Sequence, residues 1–177
     1  MYKLVVFCLF ILVSCKDEGK SEALVVNETT KEIIDSPEGS LEIYDFTGIE
    51  QFLNKKDDKT YVVNFWATWC KPCIKELPYF EAINADYKKR DVEVLLISLD
   101  FPQQYEKQLI PYIKEHKIQS KVVALDDPDM NTWITKVSEE WSGAIPATLI
   151  YNKEKRHFYE RSFNYEELEN ELKQFLK

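Results

Sequence analysis

Residues 61–78 read YVVNFWATWCKPCIKELP, and this stretch decides the fold. Its first six residues form a β-branched and aromatic run, which is typical of a buried strand. A C-x-x-C motif follows at Cys70 and Cys73, and a helix-like stretch comes behind it. Pro72 fits the first turn of a helix, where no intrahelical N–H is needed. The sequence therefore predicts a buried strand that passes through the motif into a helix.

This placement gives the two cysteines different chemistry. A thiol at a helix N-terminus faces unpaired backbone N–H groups and the positive end of the helix dipole, and both stabilise a thiolate. Cys70 is therefore predicted to be the acidic, exposed nucleophile. Cys73, one turn along, is placed to attack a mixed disulfide and release the partner.

Two other interpretations of the motif are open. A C-x-x-C pair forms half of many zinc sites, but a second ligand pair is needed, and the chain holds no second C-x-x-C and only His116 and His157. A purely structural disulfide across two residues would gain little chain entropy on closure. Redox chemistry is the interpretation that the spacing favours.

The string FWATWCKPC at residues 65–73, followed by Glu76 and Pro78, resembles the active-site stretch of the TlpA/ResA-like thiol–disulfide oxidoreductases. These are thioredoxin-fold proteins of the bacterial cell envelope. The similarity extends over roughly residues 41–177 and is strongest in 61–78 and around Pro146. It implies an enzyme without a cofactor or metal that reduces disulfides of exported proteins and is itself reduced by an upstream membrane thiol donor.

The resemblance also assigns the remaining candidate site residues. Trp69 would cover the disulfide and present a flat surface to protein substrates. Ile145 and Pro146 would form the cis-proline loop that pairs with the substrate chain, the alternative being a trans proline at the start of an edge strand. Glu76 would modulate the thiol pKa and proton transfer, the alternative being a carboxylate on the helix surface. Trp66 is open to either a core or a site interpretation.

Asn64 marks a departure from ordinary thioredoxins, which place a buried aspartate at this point of the central strand. An amide cannot accept a proton from the resolving thiol. Either Glu76 or water would then take the proton, and Asn64 would be a core amide with its hydrogen bonds satisfied.

Strand-like and helix-like segments alternate through the rest of the chain, which predicts an α/β fold. The family resemblance implies that this is the thioredoxin fold. We therefore expect a mostly parallel central sheet with an antiparallel C-terminal hairpin and helices on both faces. Strands are predicted at 41–44, 60–66, 92–99, 121–125, 147–151 and 156–161, with a further short strand possible at 23–26 or 33–34. Helices are predicted at 48–55, 73–90, 102–116 and 165–176, and another helix is predicted to start with Asp127 as its N-cap and Pro128 at its first position.

The N-terminus resembles a lipoprotein signal. Residues 1–14 carry one lysine and a ten-residue apolar run, too short to span a bilayer, and the run ends in Leu-Val-Ser before Cys15. We expect cleavage before Cys15, lipidation of that cysteine, a flexible tether over 15–40 and a thioredoxin-like domain over 41–177. An ordinary secretory signal or an uncleaved anchor is the alternative. The expected location is the bacterial cell envelope, lipid-anchored and either facing the periplasm or on the outer-membrane surface.

Composition and motif spacing exclude some functions and leave others open. The formal charge is −8 and no cluster of Lys and Arg forms a phosphate-binding stripe, so nucleic acid is not an expected partner. A peroxiredoxin would need proline and a hydroxyl residue where Val63 and Ala67 stand. A copper-binding thioredoxin-fold chaperone would use the dithiol as soft ligands, although C-x-x-x-C spacing is more usual there. A binding lipoprotein with an inert disulfide is the last alternative.

Overall fold

The computed structural model describes residues 32–176. The predicted signal segment, Cys15, the possible strand at 23–26 and most of the predicted tether lie outside these residues. Within 32–176, no helix combines the length and the apolar character needed to cross a membrane.

The central strand predicted from the sequence is confirmed, and it lies inside a seven-stranded mixed sheet. The strands are β1 (Glu32–Ser36), β2 (Gly39–Tyr44), β3 (Thr60–Trp66), β4 (Val92–Ser98), β5 (Lys121–Leu125), β6 (Ala147–Tyr151) and β7 (Arg156–Tyr159). Their order across the sheet is β1-β2-β5-β4-β3-β6-β7. The pairs β2–β5, β5–β4 and β4–β3 are parallel, whereas β1–β2, β3–β6 and β6–β7 are antiparallel. The predicted parallel centre and C-terminal hairpin are both present.

Helices cover both faces of the sheet. They are α1 (Phe46–Leu53), α2 (Lys71–Tyr87), α3 (Ile110–Glu115), α4 (Met130–Val137) and α5 (Tyr165–Lys173). Buried side chains of α2, α3 and α5 pack on one face of the sheet, and those of α1 and α4 pack on the other. All seven residues of β3 are buried, because β3 is central and both of its faces are covered.

The folded domain begins earlier than predicted. β1 lies within the predicted tether and pairs with β2 in register from Glu32 opposite Ile43 to Ser36 opposite Gly39. The strand considered at 33–34 is therefore present, and residues from Glu32 onward belong to the domain rather than to a tether. The sequence signal for β1 is weak because the strand has only five residues and lies at the edge of the sheet, where Ile33 is 49% exposed.

Two predicted helices differ from the observed ones. The segment predicted as one helix over 102–116 is a 3₁₀ turn (Pro102–Gln104), a π-helical turn (Tyr105–Leu109) and α3 in succession. The N-cap of α4 is Asp129, not Asp127. Asp127 instead accepts hydrogen bonds from the backbone N–H groups of Phe46, at 3.1 Å, and Asp129, at 2.9 Å.

Candidate active site at the start of helix α2

The C-x-x-C motif lies at the junction of β3 and α2, as predicted. Cys70 is the N-cap residue of α2, and its Sγ accepts a hydrogen bond from the backbone N–H of Cys73 at 3.3 Å. The two cysteines form a disulfide. In the dithiol form, the same N–H and the positive end of the helix dipole would stabilise a thiolate on Cys70.

The expectation that Cys70 is exposed is wrong for the disulfide form. Only 5% of Cys70 is accessible, against 0% of Cys73. The reason is that the Cys70 sulfur turns onto the first turn of α2 and lies 3.7 Å from the carbonyl oxygen of Ile145. The order of accessibility, with Cys70 above Cys73, is the one that the sequence predicts.

The loop before β6 closes over the disulfide. The peptide bond between Ile145 and Pro146 is cis, which is the conformation that the resemblance implies, and the trans alternative is wrong. Pro146 is buried and Ile145 is half-buried, and the carbonyl oxygen of Ile145 lies 3.7 Å from the Cys70 sulfur. The strand that follows pairs antiparallel with β3, and Ala147 lies opposite Phe65. This pairing is what brings two segments about 75 residues apart to one point.

Trp69, directly before the C-x-x-C motif, is an exposed aromatic residue. Its side chain is 49% exposed, and its ring stacks on that of Phe101 at a centroid distance of 6.4 Å. Trp66 is 0% exposed and lies in the core cluster on the α2 face, which resolves the two interpretations of Trp66 in favour of the core. Trp69 is thus available for contact with another chain, and Trp66 is not.

Glu76 is not a surface carboxylate. Its side chain is 1% exposed, and it accepts hydrogen bonds from Asn64 Nδ2 at 3.0 Å and from the backbone N–H of Phe163 at 2.8 Å. Burial raises the pKa of Glu76 to about 7, although both hydrogen bonds and the positive charge of Arg161 act in the opposite direction. A carboxyl group that titrates near neutral pH therefore lies one helical turn beyond Cys73.

Asn64 is only partly satisfied. Besides Glu76, its Nδ2 contacts Thr148 Oγ1 at 3.1 Å and the Ala147 carbonyl at 3.4 Å. Its Oδ1 is buried and has no hydrogen-bond partner. The expectation of a core amide is confirmed for the nitrogen and wrong for the oxygen. The alternation of β3 places Asn64 on the same face as Val62 and Trp66, towards α2, so its amide faces Glu76.

A buried carboxylate that sequence reasoning missed holds the loop before Cys70. Asp100 is 2% exposed, and it accepts hydrogen bonds from the backbone N–H of Thr68, at 3.0 Å, from the Thr68 hydroxyl and from the Ser98 hydroxyl, at 2.8 Å. Asp100 lies two residues past the end of β4, and Thr68 two residues past the end of β3. The signal for this contact was the parallel pairing of β3 and β4, whose carboxyl ends meet at one sheet edge.

The family assignment follows from comparison with known proteins. The family described as "AhpC/TSA family" matches residues 38–156, more than half of the chain. The chain belongs to this family. Its matched region begins at the β1–β2 turn, includes the C-x-x-C motif and ends at the first residue of β7.

Proteins named thiol-disulfide oxidoreductase ResA are similar to part of this chain. The protein from Oceanobacillus iheyensis is 41% identical over 58 residues, which cover 33% of this chain and 30% of that protein. The protein from Bacillus cereus is 29% identical over 113 residues, covering 63% of this chain and 60% of that protein. The chain thus spans at most 60% of the length of these two relatives.

A solved structure supports the fold. The thiol:disulfide interchange protein of the thioredoxin family from Chlorobium tepidum superposes with a TM-score of 0.58 at 17% sequence identity, over 84% of this chain and 95% of that chain. The predicted thioredoxin fold is confirmed.

Proposed function

We propose that this protein is a thiol–disulfide oxidoreductase of the bacterial cell envelope that reduces disulfides of exported proteins through a Cys70–Cys73 cycle. The observation that carries the proposal is the Cys70 sulfur at the N-cap of α2, bonded to Cys73 and beside the Ile145 carbonyl. The names of the similar relatives support the same chemistry.

The cycle has two exchange steps. The Cys70 thiolate attacks one sulfur of a substrate disulfide, forms a Cys70–substrate disulfide and expels the other substrate sulfur as a thiolate. The Cys73 thiolate then attacks the Cys70 sulfur, closes the Cys70–Cys73 disulfide and releases the second substrate thiolate. The substrate gains two electrons, the protein loses two, and a membrane thiol donor restores the dithiol.

Glu76 supplies a proton acceptor for the second step. Cys73 is fully buried in the disulfide form, which favours a proton acceptor inside the protein over bulk water. A carboxyl group with a pKa of about 7 is suited to accept a proton near neutral pH, and Asn64 on β3 holds it against the sheet. We assign the catalytic roles to Cys70, Cys73 and Glu76, and the contact with substrate to Trp69, Ile145 and Pro146.

The location is part of the proposal. Removal of residues 1–14 would leave Cys15 as the lipidated N-terminus and Cys70 and Cys73 as the remaining thiols, since Cys8 would leave with the signal segment. A chain with one dithiol and no other free cysteine suits an oxidising compartment. The lipid on Cys15 would hold the domain at the membrane, where a membrane thiol donor can reach it.

Reduction of insulin by dithiothreitol is the direct test. The wild-type protein should accelerate precipitation of the insulin B chain, and Cys70→Ser and Cys73→Ser should not. No acceleration by the wild type would contradict the proposal and favour an inert disulfide. Copper bound stoichiometrically by the purified dithiol form, together with no insulin reduction, would favour the copper chaperone.

The structure offers little for a peroxiredoxin reaction. Val63 and Ala67, at the positions where that motif needs proline and a hydroxyl, are both fully buried. Because residue 67 is alanine, it offers no side-chain hydroxyl to the sulfur, and its carbonyl accepts the backbone N–H of Cys70 at 3.1 Å.

A further inference from the structure

An apolar groove of about 410 Å³ lies beside the disulfide, and Trp69 and Ile145, which are assigned to substrate contact in the proposed function, form part of its wall. Six of the residues that line it are Trp69, Leu99, Phe101, Met130, Trp133 and Ile145. They come from the motif loop, the segment after β4, the start of α4 and the cis-proline loop. The groove is therefore built by four separate segments at the end of the sheet that holds the disulfide.

Most of the large hydrophobic side chains that are exposed in the described part of the chain line the groove. Among residues 32–176, four large hydrophobic side chains are exposed: Trp69 (49%), Phe101 (61%), Met130 (49%) and Ile33 (49%). The first three line the groove, and Ile33 lies on edge strand β1. Contiguous exposed apolar side chains are typical of interaction sites, whereas isolated ones are ordinary. The stacked rings of Trp69 and Phe101 give the groove one flat, preformed wall.

The charged residues that line the groove are all acidic. Three aspartates, Asp100, Asp126 and Asp127, are among its lining residues, and no Lys or Arg of the described chain is. Asp127 is fixed in place by the backbone N–H groups of Phe46 and Asp129. An acidic partner would be repelled here, and a neutral or basic one would not be.

The groove is continuous with the point where a substrate must bind. Ile145 contributes to its wall, and the carbonyl oxygen of Ile145 is 3.7 Å from the Cys70 sulfur. A substrate cysteine joined to Cys70 therefore lies at one end of the groove. Four residues of extended chain span roughly 13 Å, so the residues flanking that cysteine reach into it.

We propose that this groove binds a large apolar side chain, aromatic or leucine-like, carried within about four residues of the reactive cysteine by a substrate segment without acidic residues. The inference rests on the proposed function and adds the class of substrate. The groove would then select among substrate disulfides that the C-x-x-C motif alone would reduce at similar rates.

Binding tests the groove without redox chemistry. The disulfide form of the protein is titrated with an extended decapeptide in which serine replaces the cysteine and leucine or phenylalanine stands two residues away, followed by tryptophan fluorescence. Met130→Ser and Phe101→Ser should each weaken binding roughly fivefold or more, the scale of an interface anchor. Ile33→Ser is the matched control, because Ile33 is as exposed as Met130 and lies outside the groove. Equal binding by all variants, or no binding, would overturn the proposal.

Kinetics test the choice of substrate. The substrates are cysteine peptides joined to glutathione by a disulfide, and their reduction rates are compared in two pairs. One pair has leucine or serine, and the other has lysine or glutamate, at a position flanking the cysteine. The leucine peptide should be reduced roughly fivefold faster than the serine peptide by the wild type and Ile33→Ser, and that ratio should fall towards one in Met130→Ser. Glutamate should slow reduction relative to lysine. Equal rates for all peptides would overturn the groove proposal but leave the proposed function standing.

Two further outcomes separate the proposals. If no peptide is reduced, the proposed function fails, and the binding titration alone decides the groove. A concentration-dependent dimer in sedimentation, abolished by Met130→Ser, would mean that a second copy of this chain occupies the groove, and it would overturn the substrate assignment.

Discussion

The side-chain amide of Asn64 donates a 3.0 Å hydrogen bond to Oε1 of Glu76 inside the core. Neither side chain is more than 1% exposed. The second oxygen of Glu76 accepts the backbone N–H of Phe163, so each carboxylate oxygen has a donor. Burial outweighs these donors and raises the pKa of Glu76 to about 7, which leaves the group partly protonated at neutral pH.

Replacing Glu76 with Gln should remove a pH dependence of stability. Between the ordinary carboxyl pKa of 4.5 and the folded value of about 7, the folded protein keeps the Glu76 proton and the unfolded chain loses it. Rising pH therefore lowers the free energy of unfolding, by roughly 3 kcal/mol in total for this group. Urea unfolding of the disulfide form between pH 4 and 8 should show this slope in the wild type and not in Glu76→Gln. Glu166→Gln, at an exposed position of α5, should behave as the wild type, and parallel curves for all three would contradict the assignment.

The same variant should change the thiols. Above pH 7, a charged Glu76 disfavours a nearby thiolate, so Glu76→Gln should lower the pKa of at least one of Cys70 and Cys73. If Glu76 is also the proton acceptor for Cys73, mixed disulfides should resolve more slowly in the variant although its thiols are more acidic. Ultraviolet titration of the thiolates and stopped-flow resolution rates measure the two effects. Superimposable titrations with unchanged rates would leave proton transfer to water.

The position of Glu76 was readable from the sequence, but its burial was not. Its spacing from Cys73 follows from helix geometry, which is local. Its surroundings come from Asn64, 12 residues before it, and from Phe163, 87 residues after it. The strands were predicted well for a related reason: runs of β-branched residues in β3, β5 and β6 carry a strong local signal.

The errors in the sequence-based prediction also have local causes. Pro111 and the polar residues after Pro102 weaken the helical pattern of 102–116, and the π-helical turn that results has no simple periodicity. Asp127 directly precedes a proline, as an N-cap residue often does. Its side chain instead accepts a hydrogen bond from the backbone N–H of Phe46, the first residue of α1. Asp100 was missed because its partner lies on a different loop.

Asp100 should stabilise the loop that carries Trp69 and Cys70. Asp100→Ala would leave the Thr68 N–H and two hydroxyls without their acceptor, at a cost of roughly 2 to 3 kcal/mol in the free energy of unfolding. It should also slow insulin reduction. Asp100→Asn keeps one acceptor oxygen and should recover part of both losses, while Asp35→Ala, at an exposed position of β1, should cost little. Wild-type stability and rate in Asp100→Ala would contradict this role.

Lipidation of Cys15 should determine whether the protein is attached to the membrane. In a bacterium that processes lipoproteins, the wild type should fractionate with membranes and Cys15→Ser should not, because the lipid is the proposed attachment. Cys8→Ser is the matched control, since it alters a cysteine of the segment that is removed, and it should stay with the membrane. Membrane retention of Cys15→Ser would mean that the N-terminal segment is kept or that another surface binds lipid.

The central claim is that Cys70 attacks and Cys73 resolves, and trapping tests it most directly. Cys73→Ser and Cys70→Ser, both reduced, are mixed with a disulfide-containing protein such as insulin, quenched with acid and analysed by mass spectrometry. The account predicts a covalent adduct of insulin with Cys73→Ser through Cys70, and at most a trace with Cys70→Ser, because Cys73 is fully buried. An adduct formed equally by both variants, or only by Cys70→Ser, would contradict it.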